Sequence, residues 1–400
     1  MRLTILRRAI QFANMAHELK AKRPRYGFNN SSETSYFDSY ADITVHEEML
    51  GDSVRTNAYK DAIFNCNPPI KDKVVLDVGA GTGILSCFCA QAGAKTVYAV
   101  EASKIAEQAK QVVKANGLGD KVVVIQGLLE EVELPEKVDV IVSEWMGYCL
   151  LYESMLSSVI NARDRWLKPG GLILPSHTRM FLSPVSDDEI IIEKVNFWSD
   201  MHEAYGVDMS TLLPFARTSM SKDIMVKTIT CENILSNSQL VASFDLYNIS
   251  HEDIVSVQHD FKFHSFGIAD LQGFALWFDV SFEVSNQKKQ NYPETEKQDD
   301  RNGCNAVDQI ESSDCKNGNL ILSTSPYDPE THWKQSLLYL NAEVPVVQDS
   351  KINGKLNIKR CENNHRFLDI SLSCSVDDKP ETDQTYFMGY ELPKNNNTKI

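Results

Sequence analysis

Two glutamates, Glu144 and Glu153, stand on either side of a short aromatic stretch, Trp-Met-Gly-Tyr at residues 145–148. Carboxylates only accept hydrogen bonds, and two of them can hold one planar cation such as a guanidinium through paired, charge-assisted bonds. The same residues also suit plain structural roles, because an acid can close a strand or favour the first turn of a helix. Their spacing alone leaves both interpretations open.

A glycine-rich turn is the second feature with chemical meaning. Residues 74–83 read VVLDVGAGTG, an apolar strand that runs into Gly79, Gly81 and Gly83. Because glycine lacks Cβ, the backbone can approach a ligand closely there. The spacing differs from the G-x-G-x-x-G of dinucleotide-binding proteins. Glu101 follows about 20 residues on, at the end of the next strand, where an acid can accept both hydroxyls of a ribose. Together they predict a nucleoside site.

Composition limits the classes of protein to which the chain can belong. Its 400 residues are 42% apolar and 24% charged, which is ordinary for a folded globular protein of two or three domains. A formal net charge of −15 argues against direct binding to nucleic acid and favours basic partners. The nine cysteines form no C-x₂-C pair, so we expect reduced thiols and no metal site. Without a run of about 18 apolar residues, no membrane association is expected.

The elements that position the acids and the glycine turn lie between Val74 and Pro175. Apolar runs alternate there with helical patterns, which is typical of a parallel sheet flanked by helices. The predicted strands are KVVLDVG, KTVYAV, KVVVIQG and KVDVIVSE, and the predicted helices cover residues 84–92, 103–116 and 153–167. Ligands bind such sheets at the carboxyl ends of the strands. Both the glycine turn and Glu144 are therefore predicted at one edge of one sheet.

The chain changes character after Pro175. A helical patch at residues 187–205 is followed by short alternating runs, which predict a mostly antiparallel β domain, a barrel or a sandwich. Residues 285–319 are polar and predict a disordered insertion between two strands. The predicted domains are an N-terminal segment, helical or flexible, at residues 1–34, a cofactor domain at 35–175 and a β domain at 176–400.

The D-x-G-x-G-x-G form of the glycine turn resembles motif I of S-adenosylmethionine-dependent methyltransferases with a Rossmann-like fold. A tight turn in a nicotinamide dehydrogenase is the alternative, but nothing later in the chain resembles a hydride-transfer site. Adenine and cytosine methyltransferases carry an Asn/Asp-Pro-Pro-aromatic tetrad after the fourth strand. Here Asn-Pro-Pro-Ile, residues 67–70, precedes the first strand and lacks the aromatic residue, and the slot after the fourth strand holds Ser-Glu-Trp-Met, residues 143–146.

A guanidinium substrate would explain two acids in that slot. Its lone pair is delocalised, so a terminal nitrogen reacts only when it is oriented toward the methyl donor. Two carboxylates fix the plane of the cation and offset the cost of bringing it near a positively charged sulfur. In-line transfer requires the reacting atoms within about 3 to 3.5 Å, so positioning supplies much of the rate.

Residues 143–154, SEWMGYCLLYES, resemble the double-E loop of the protein arginine N-methyltransferases, and other family elements occur in order. The matching segments are SYFDSY at residues 35–40, HEEML at 46–50 with Asp52 and VRT at 54–56, QGLLE at 126–130, and THW at 331–333. The likeness covers roughly residues 36–346 and thins afterwards. Among the type I members, the chain is most similar to the isoform-six subfamily.

The resemblance implies a role for each matching residue. Glu144 and Glu153 would hold the substrate guanidinium, and His332 would pair with Asp52 as proton acceptor or orienting group. Arg55 would pair with the carboxylate of S-adenosylmethionine, and other cofactor contacts would come from His46, Gly79, Gly81, Glu101 at the ribose and Glu130 at the adenine. The residues implied for the substrate pocket are Tyr36, Tyr40, Met49, Met155 and Trp333.

The implied activity is transfer of methyl groups to arginine in histones and other basic proteins, with monomethyl and asymmetric dimethylarginine as products. The resemblance also implies a head-to-tail homodimer through an arm at about residues 187–213, and a nuclear location, with the cytoplasm as alternative. The other functions considered are a silent cofactor-binding scaffold and a methyltransferase of small guanidino metabolites. The intact pair of acids argues against the first, and the large β domain argues against the second.

Overall fold

A computed structural model describes residues 36–153, 155–284 and 319–389. The expected N-terminal segment at residues 1–34 and the expected insertion at 285–319, except Asn319, lie outside these ranges. Both therefore stay predictions. None of the helices in the described ranges is long and apolar enough to cross a membrane.

Five parallel strands form the first sheet, and their spatial order is β3-β2-β1-β4-β5. Their bounds are β1 Val74–Val78, β2 Thr96–Glu101, β3 Val122–Gln126, β4 Val138–Val142 and β5 Leu167–Leu174. Every residue of β1 and β2 is buried, because helices cover both faces of a parallel sheet. The strand order reverses between β1 and β4, so the carboxyl ends of these two strands border the crevice where such folds bind ligands. The predicted Rossmann-like sheet is confirmed.

Five helices accompany this sheet: α1 Ile43–Gly51, α2 Ser53–Asn65, α3 Ile84–Gln91, α4 Ala106–Ala115 and α5 Leu156–Trp166. The Asp52 side chain accepts a hydrogen bond from the Arg55 backbone N–H and so caps α2. Two helices begin three residues later than predicted. The Ser103 hydroxyl accepts a hydrogen bond from the Ile105 N–H ahead of α4, and Glu153 adopts a left-handed backbone conformation ahead of α5.

The β domain consists of two antiparallel sheets that share one core. The larger sheet has the order β7-β12-β10-β6-β8, with β11 beside β10, and the smaller has the order β15-β14-β13-β9. Phe261 of the smaller sheet packs on Phe274 of the larger, with ring centroids 5.1 Å apart. The predicted barrel-like domain is confirmed. The larger sheet contains β6 His177–Val185, β7 Met225–Lys227, β8 Gln239–Asp245, β10 Ala269–Phe282, β11 Leu320–Ser323 and β12 Gln335–Val346. The smaller contains β9 Ser256–His264, β13 Lys351–Arg360, β14 Leu368–Val376 and β15 Thr382–Met388.

A helical arm is inserted between β6 and β7. It contains α6 Asp188–Ile191, a π-helix Ile192–Asn196, α7 Phe197–Tyr205, a 3₁₀ turn Ser210–Leu212 and α8 Leu213–Met220, so it continues past the predicted end near residue 213. Asp187 anchors its base to the barrel. This buried carboxylate accepts bonds from the Tyr339 hydroxyl at 2.6 Å and from the Lys227 ammonium at 3.1 Å. The arm is thus tied to β12 and β7 at its first residue.

Candidate active site

The loop that carries the two acids folds back on itself between β4 and α5. The Gly147 N–H donates to the Leu150 carbonyl at 3.2 Å, which closes the turn. A Cβ on Gly147 would lie 2.1 Å from the carbonyl oxygen of Tyr152, so this position needs glycine for close approach of two backbone segments. Glu153 has φ +71°, a conformation that costs a non-glycine residue about 1 to 2 kcal/mol. The fold-back returns Glu153 to the edge of the sheet that Glu144 occupies.

Glu144 forms an ion pair with Arg55. The guanidinium donates from Nη2 at 2.8 Å and from Nε at 3.0 Å, and both bonds converge on Oε2 of Glu144. Both side chains are buried, with 6% of Arg55 and 8% of Glu144 exposed. The resemblance implied that Arg55 pairs with the carboxylate of the cofactor. In the structure Arg55 pairs with one of the two acids expected to hold the substrate, and its role toward the cofactor stays a prediction.

Glu153 is held by a different set of groups. The Tyr40 hydroxyl donates to its Oε2 at 2.5 Å, and Tyr36 packs on Tyr40 with ring centroids 4.9 Å apart. Burial raises the pKa of the Glu153 carboxyl, and the charge of Glu144 adds to this, while the bond from Tyr40 and the nearby Arg366 cation oppose the rise. Glu144 and Glu153 are therefore close enough to interact electrostatically, which is required of two acids that share one cation.

The glycine turn leaves room at the end of β1. Gly79, Gly81 and Gly83 all have positive φ. A Cβ on Gly79 would lie 2.1 Å from the Cε atom of Met155, so the end of that side chain would have to move, and the φ of +72° disfavours any other residue there. Across the turn, Glu101 accepts the Gly81 N–H at 2.9 Å and the Ser103 N–H at 2.7 Å, one on each carboxylate oxygen. These bonds fix the carboxylate and leave each oxygen a second lone pair for a ribose hydroxyl.

His46 and Glu130 border the same crevice. The His46 ring nitrogen Nε2 lies 2.9 Å from the Tyr40 carbonyl oxygen, which connects α1 to the segment before it. Glu130 is exposed at the rim, where it accepts from the Ser158 hydroxyl at 2.8 Å and from the Asn161 amide at 3.3 Å. A carboxylate at the rim with a free lone pair fits an adenine amino group, which is a hydrogen-bond donor.

Asp77 lies beneath the glycine turn and is fully buried. Its Oδ2 accepts the Ser86 hydroxyl at 2.6 Å, whereas Oδ1 has no hydrogen-bond partner among the described residues. Burial raises the pKa of this carboxyl to about 7, and the charge of Glu101 contributes to the rise. A buried acid with an unsatisfied oxygen favours its protonated form.

The β domain contributes two residues through the segment before β12. Asp52 accepts from both the backbone N–H of His332, at 2.9 Å, and the ring Nδ1, at 2.7 Å. Burial opposes ionisation of Asp52, but the bonds from His332 and from the Arg55 N–H outweigh it and lower the pKa of Asp52. Trp333 is buried and donates from Nε1 to the Met146 carbonyl at 2.9 Å. These contacts dock the barrel against both α2 and the double-E loop.

Most of these side chains line one cleft of about 940 Å³ between the two domains, and Asp52 and Asp77 lie outside its lining. Fourteen of the residues that the sequence singled out line it, whereas Gly83 and Asp52 do not: Tyr36, Tyr40, His46, Met49, Arg55, Gly79, Gly81, Glu101, Glu130, Glu144, Glu153, Met155, His332 and Trp333. The structure thus brings the predicted set together, and the individual roles stay predictions. The turn between β13 and β14, with His365 and Arg366, also lines the cleft and was missed, since no motif marks it. No three His, Cys, Asp or Glu side chains form a metal site within the described ranges.

Comparison with known families assigns both domains. Residues 75–171 match the model of a methyltransferase domain, and residues 176–293 and 293–379 match the arginine methyltransferase oligomerization subdomain. Protein arginine N-methyltransferase 6 of Danio rerio is 45% identical over 359 residues, covering 89% of this chain and 93% of that protein. Probable protein arginine N-methyltransferase 6.1 of Oryza sativa subsp. indica is 47% identical over 343 residues, covering 85% and 88%.

Solved structures show the same architecture. The Trypanosoma brucei PRMT1 enzyme-prozyme heterotetrameric complex with AdoHcy aligns with a TM-score of 0.73 and 33% identity, covering 88% of this chain and 100% of that one. Arabidopsis thaliana protein arginine methyltransferase 10 aligns with a TM-score of 0.70 and 35% identity, covering 88% and 99%. On the paired acids, the glycine turn and these likenesses, the chain belongs to the protein arginine N-methyltransferases, enzymes that use S-adenosylmethionine.

Proposed function

We propose that this enzyme methylates arginine side chains in histones and other basic protein segments, and that its products are monomethyl and asymmetric dimethylarginine. One observation carries the proposal: Glu144 and Glu153 lie in the same cleft as the glycine turn and Glu101. A cation held by the two acids therefore faces the place where a nucleoside cofactor fits. The net charge of −15 favours encounter with basic segments in a salt-dependent way.

The groups at the turn provide the cofactor site. Glu101, fixed by two backbone N–H groups, would hold the ribose, and Glu130 would hold the adenine. When bound, S-adenosylmethionine supplies an activated methyl group on a positively charged sulfur. The chain's own contribution is then to place a nitrogen in line with that methyl group and to exclude competing nucleophiles.

The two acids would orient the acceptor. Both Arg55 bonds converge on Oε2 of Glu144, so Oε1 is the oxygen that faces no arginine donor within the described ranges. We assign Oε1 of Glu144 and the carboxylate of Glu153 to the substrate guanidinium, which presents parallel N–H groups to two acceptors. Bonds to both acids draw positive charge toward the held nitrogens and leave the third nitrogen more nucleophilic.

The His332–Asp52 pair would accept or orient the proton that the methylated nitrogen releases. Asp52 holds Nδ1 of the ring at 2.7 Å, which fixes the ring orientation and leaves Nε2 as the nitrogen that can receive a proton. Trp333, tied to the loop through Met146, would form a wall of the pocket.

One experiment tests the activity and separates its alternatives. The protein is incubated with methyl-labelled cofactor and a histone mixture, with and without a free guanidino compound as competitor. We expect label on arginine, and mass spectrometry should show asymmetric rather than symmetric dimethylarginine. Label on RNA or only on the small compound would refute the proposed substrate class, and cofactor binding without any transfer would favour the scaffold.

We also propose a head-to-tail homodimer in which the arm packs on the cofactor domain of a second copy. The chain contains the oligomerization subdomain, and the arm exposes large apolar side chains, among them Phe197, Tyr205 and Phe215. Such a patch favours burial against a partner. Light scattering should show a dimer that Phe197→Glu with Phe215→Glu converts to monomer. Ile268→Glu, at an exposed barrel position, is the matched control and should stay dimeric.

The proposed compartment is the nucleus, with the cytoplasm as second compartment. The support is the proposed histone substrate and the basic cluster KAKRPR at residues 20–25. Imaging of a fluorescent fusion should show nuclear accumulation that decreases when these lysines and arginines are replaced by glutamine. An unchanged distribution would rule out this cluster as the signal.

A further inference from the structure

The β13–β14 turn, residues 361–367, reaches from the barrel to the back of the double-E loop. Arg366 and Glu153 bond to each other twice: the Glu153 N–H donates to the Arg366 carbonyl at 2.8 Å, and Nη1 of Arg366 donates to the Glu153 carbonyl at 2.8 Å. The turn itself is closed by bonds from the Phe367 N–H to the Asn364 carbonyl and from the Arg366 N–H to the Asn364 side chain. Arg366 thus sits on a defined turn and holds the backbone of Glu153 on both sides.

These two hydrogen bonds to the Glu153 backbone matter because Glu153 has φ +71°, where non-glycine residues are uncommon and need support from their surroundings. Since φ and ψ set the direction of Cβ, these hydrogen bonds also determine the direction of the carboxylate. The two bonds to Arg366 are the support that the described residues supply from the barrel side.

The same guanidinium also packs on the aromatic residues that cover the cleft. The central carbon of Arg366 lies 3.7 Å from the ring centroid of Tyr36 and 5.2 Å from that of Phe37. A cation at this distance from an aromatic face is attracted by it. Tyr36 in turn packs on Tyr40, whose hydroxyl donates to the Glu153 carboxylate. Arg366 therefore contacts Glu153 directly and again through the two tyrosines.

We propose that Arg366 is a positioning residue for methyl transfer: it fixes Glu153 and Tyr36 relative to each other, and so sets where the acceptor guanidinium is held. The proposal rests on the proposed role of Glu153. Four groups face this carboxylate, namely Tyr40, Arg366, Glu144 and Tyr36. Arg366 is the cation among them, and it opposes the rise in the pKa of Glu153 that burial and Glu144 cause. It thereby favours the ionised form of Glu153, the form that binds a cation.

The test compares Arg366→Gln with Arg366→Lys, which keeps the charge. For Arg366→Gln we expect kcat/KM for a histone peptide to fall about 100-fold, the effect of a small misplacement of reacting groups. KM for the cofactor should change less than about twofold, because the contacts described for Arg366 are with Glu153, Tyr36 and Phe37 rather than with the groups assigned to the cofactor. The acidic limb of the pH profile of kcat/KM should move to higher pH, since loss of the cation raises the pKa of Glu153. In Arg366→Lys, which keeps the positive charge, the acidic limb should lie at the same pH as in the parent enzyme.

The matched control is Arg360→Gln, which removes the same charge from the last residue of β13. Nε and Nη2 of Arg360 have no partner among the described residues, and this variant should leave both rate and limb unchanged. Full peptide activity of Arg366→Gln, an unmoved limb, or an equal loss in Arg360→Gln would overturn the proposal. If the melting curve shows that Arg366→Gln does not fold, the test uses the acidic limb of the kcat/KM profile of Arg366→Lys. A shift of that limb relative to the parent enzyme would contradict the proposal.

Glu153→Gln separates the two levels of inference. If this variant retains full activity, the proposed role of Glu153 fails irrespective of Arg366. If Glu153→Gln is inactive toward the peptide while Arg366→Gln is unaffected, the role of Glu153 stands and that of Arg366 fails. If both residues have the proposed roles, adding Arg366→Gln to Glu153→Gln should cause little further loss of peptide activity. The effects of residues that act as one unit are not additive.

Discussion

Arg55 and Glu144 form a buried ion pair in which two N–H groups of the guanidinium, at 2.8 and 3.0 Å, share one carboxylate oxygen. Removal of one partner leaves an unpaired charge in the interior. We expect Arg55→Met to destabilise the protein by about 3 to 5 kcal/mol, and Glu144→Gln added to it to recover most of that loss. Thermal unfolding without cofactor measures both. Lys110→Met, which breaks the exposed pair with Glu107, is the control and should cost less than about 1 kcal/mol. A loss no larger than in the control would contradict a stabilising role for the buried pair.

The two acids and Glu101 should separate turnover from cofactor affinity. Glu144→Gln and Glu153→Gln keep shape but lose charge, so we expect turnover to fall by several orders of magnitude while the cofactor still binds. Glu101→Ala removes the predicted ribose acceptor and should weaken cofactor binding first. Calorimetric titration of S-adenosylhomocysteine and single-turnover assays measure the two properties. Equal loss of affinity in all three variants would show that this division of roles is wrong.

Asp77 should make stability depend on pH. Its folded-state pKa, about 7, lies above the ordinary value of 3.8, so the protonated form favours the folded state. That contribution is complete below the ordinary pKa and is lost as pH rises through 7. Asp77→Asn cannot ionise, and we expect it to gain about 2 to 3 kcal/mol relative to the parent between pH 5 and pH 8. Melting temperatures at the two pH values measure this, and a pH-independent difference would mean that Asp77 is already ionised at pH 5.

Gly147 should be the least tolerant position of the double-E loop. Its Cβ would lie 2.1 Å from the Tyr152 carbonyl, and the collision is with backbone, which cannot rotate away. Gly147→Ala must therefore displace the segment that leads into Glu153. We expect peptide kcat/KM to fall at least about 100-fold, as for any misplaced catalytic group. Gly119→Ala, with no atom within 4 Å of the new Cβ, is the control. If Gly147→Ala remains as active as that control, the fold-back is not needed for activity.

Much of the cofactor domain could be predicted from local sequence. Strands β1 and β2 are mostly apolar and are buried along their whole length, as a sheet covered on both faces requires, and the glycines at positions 79, 81 and 83 all adopt the positive φ for which glycine is suited. The helix starts were predicted less well. Ser103 and Glu153 were expected inside helices, but a side-chain bond and a left-handed backbone place them ahead of the first turn.

The sequence by itself determined that the glycine turn, the double-E loop and the THW segment enter the cleft, because each has a local pattern, but it did not mark the β13–β14 turn. Only the tertiary structure decided which charged groups face each other there. Arg55 pairs with Glu144, and Arg366 of the β domain forms two hydrogen bonds with the backbone of Glu153. Such pairs depend on how distant segments pack and on how much water the packing excludes. Neither the packing of distant segments nor the exclusion of water produces a local pattern in the sequence. The partners of the two acids could therefore be identified only from the assembled sheet, loop and barrel.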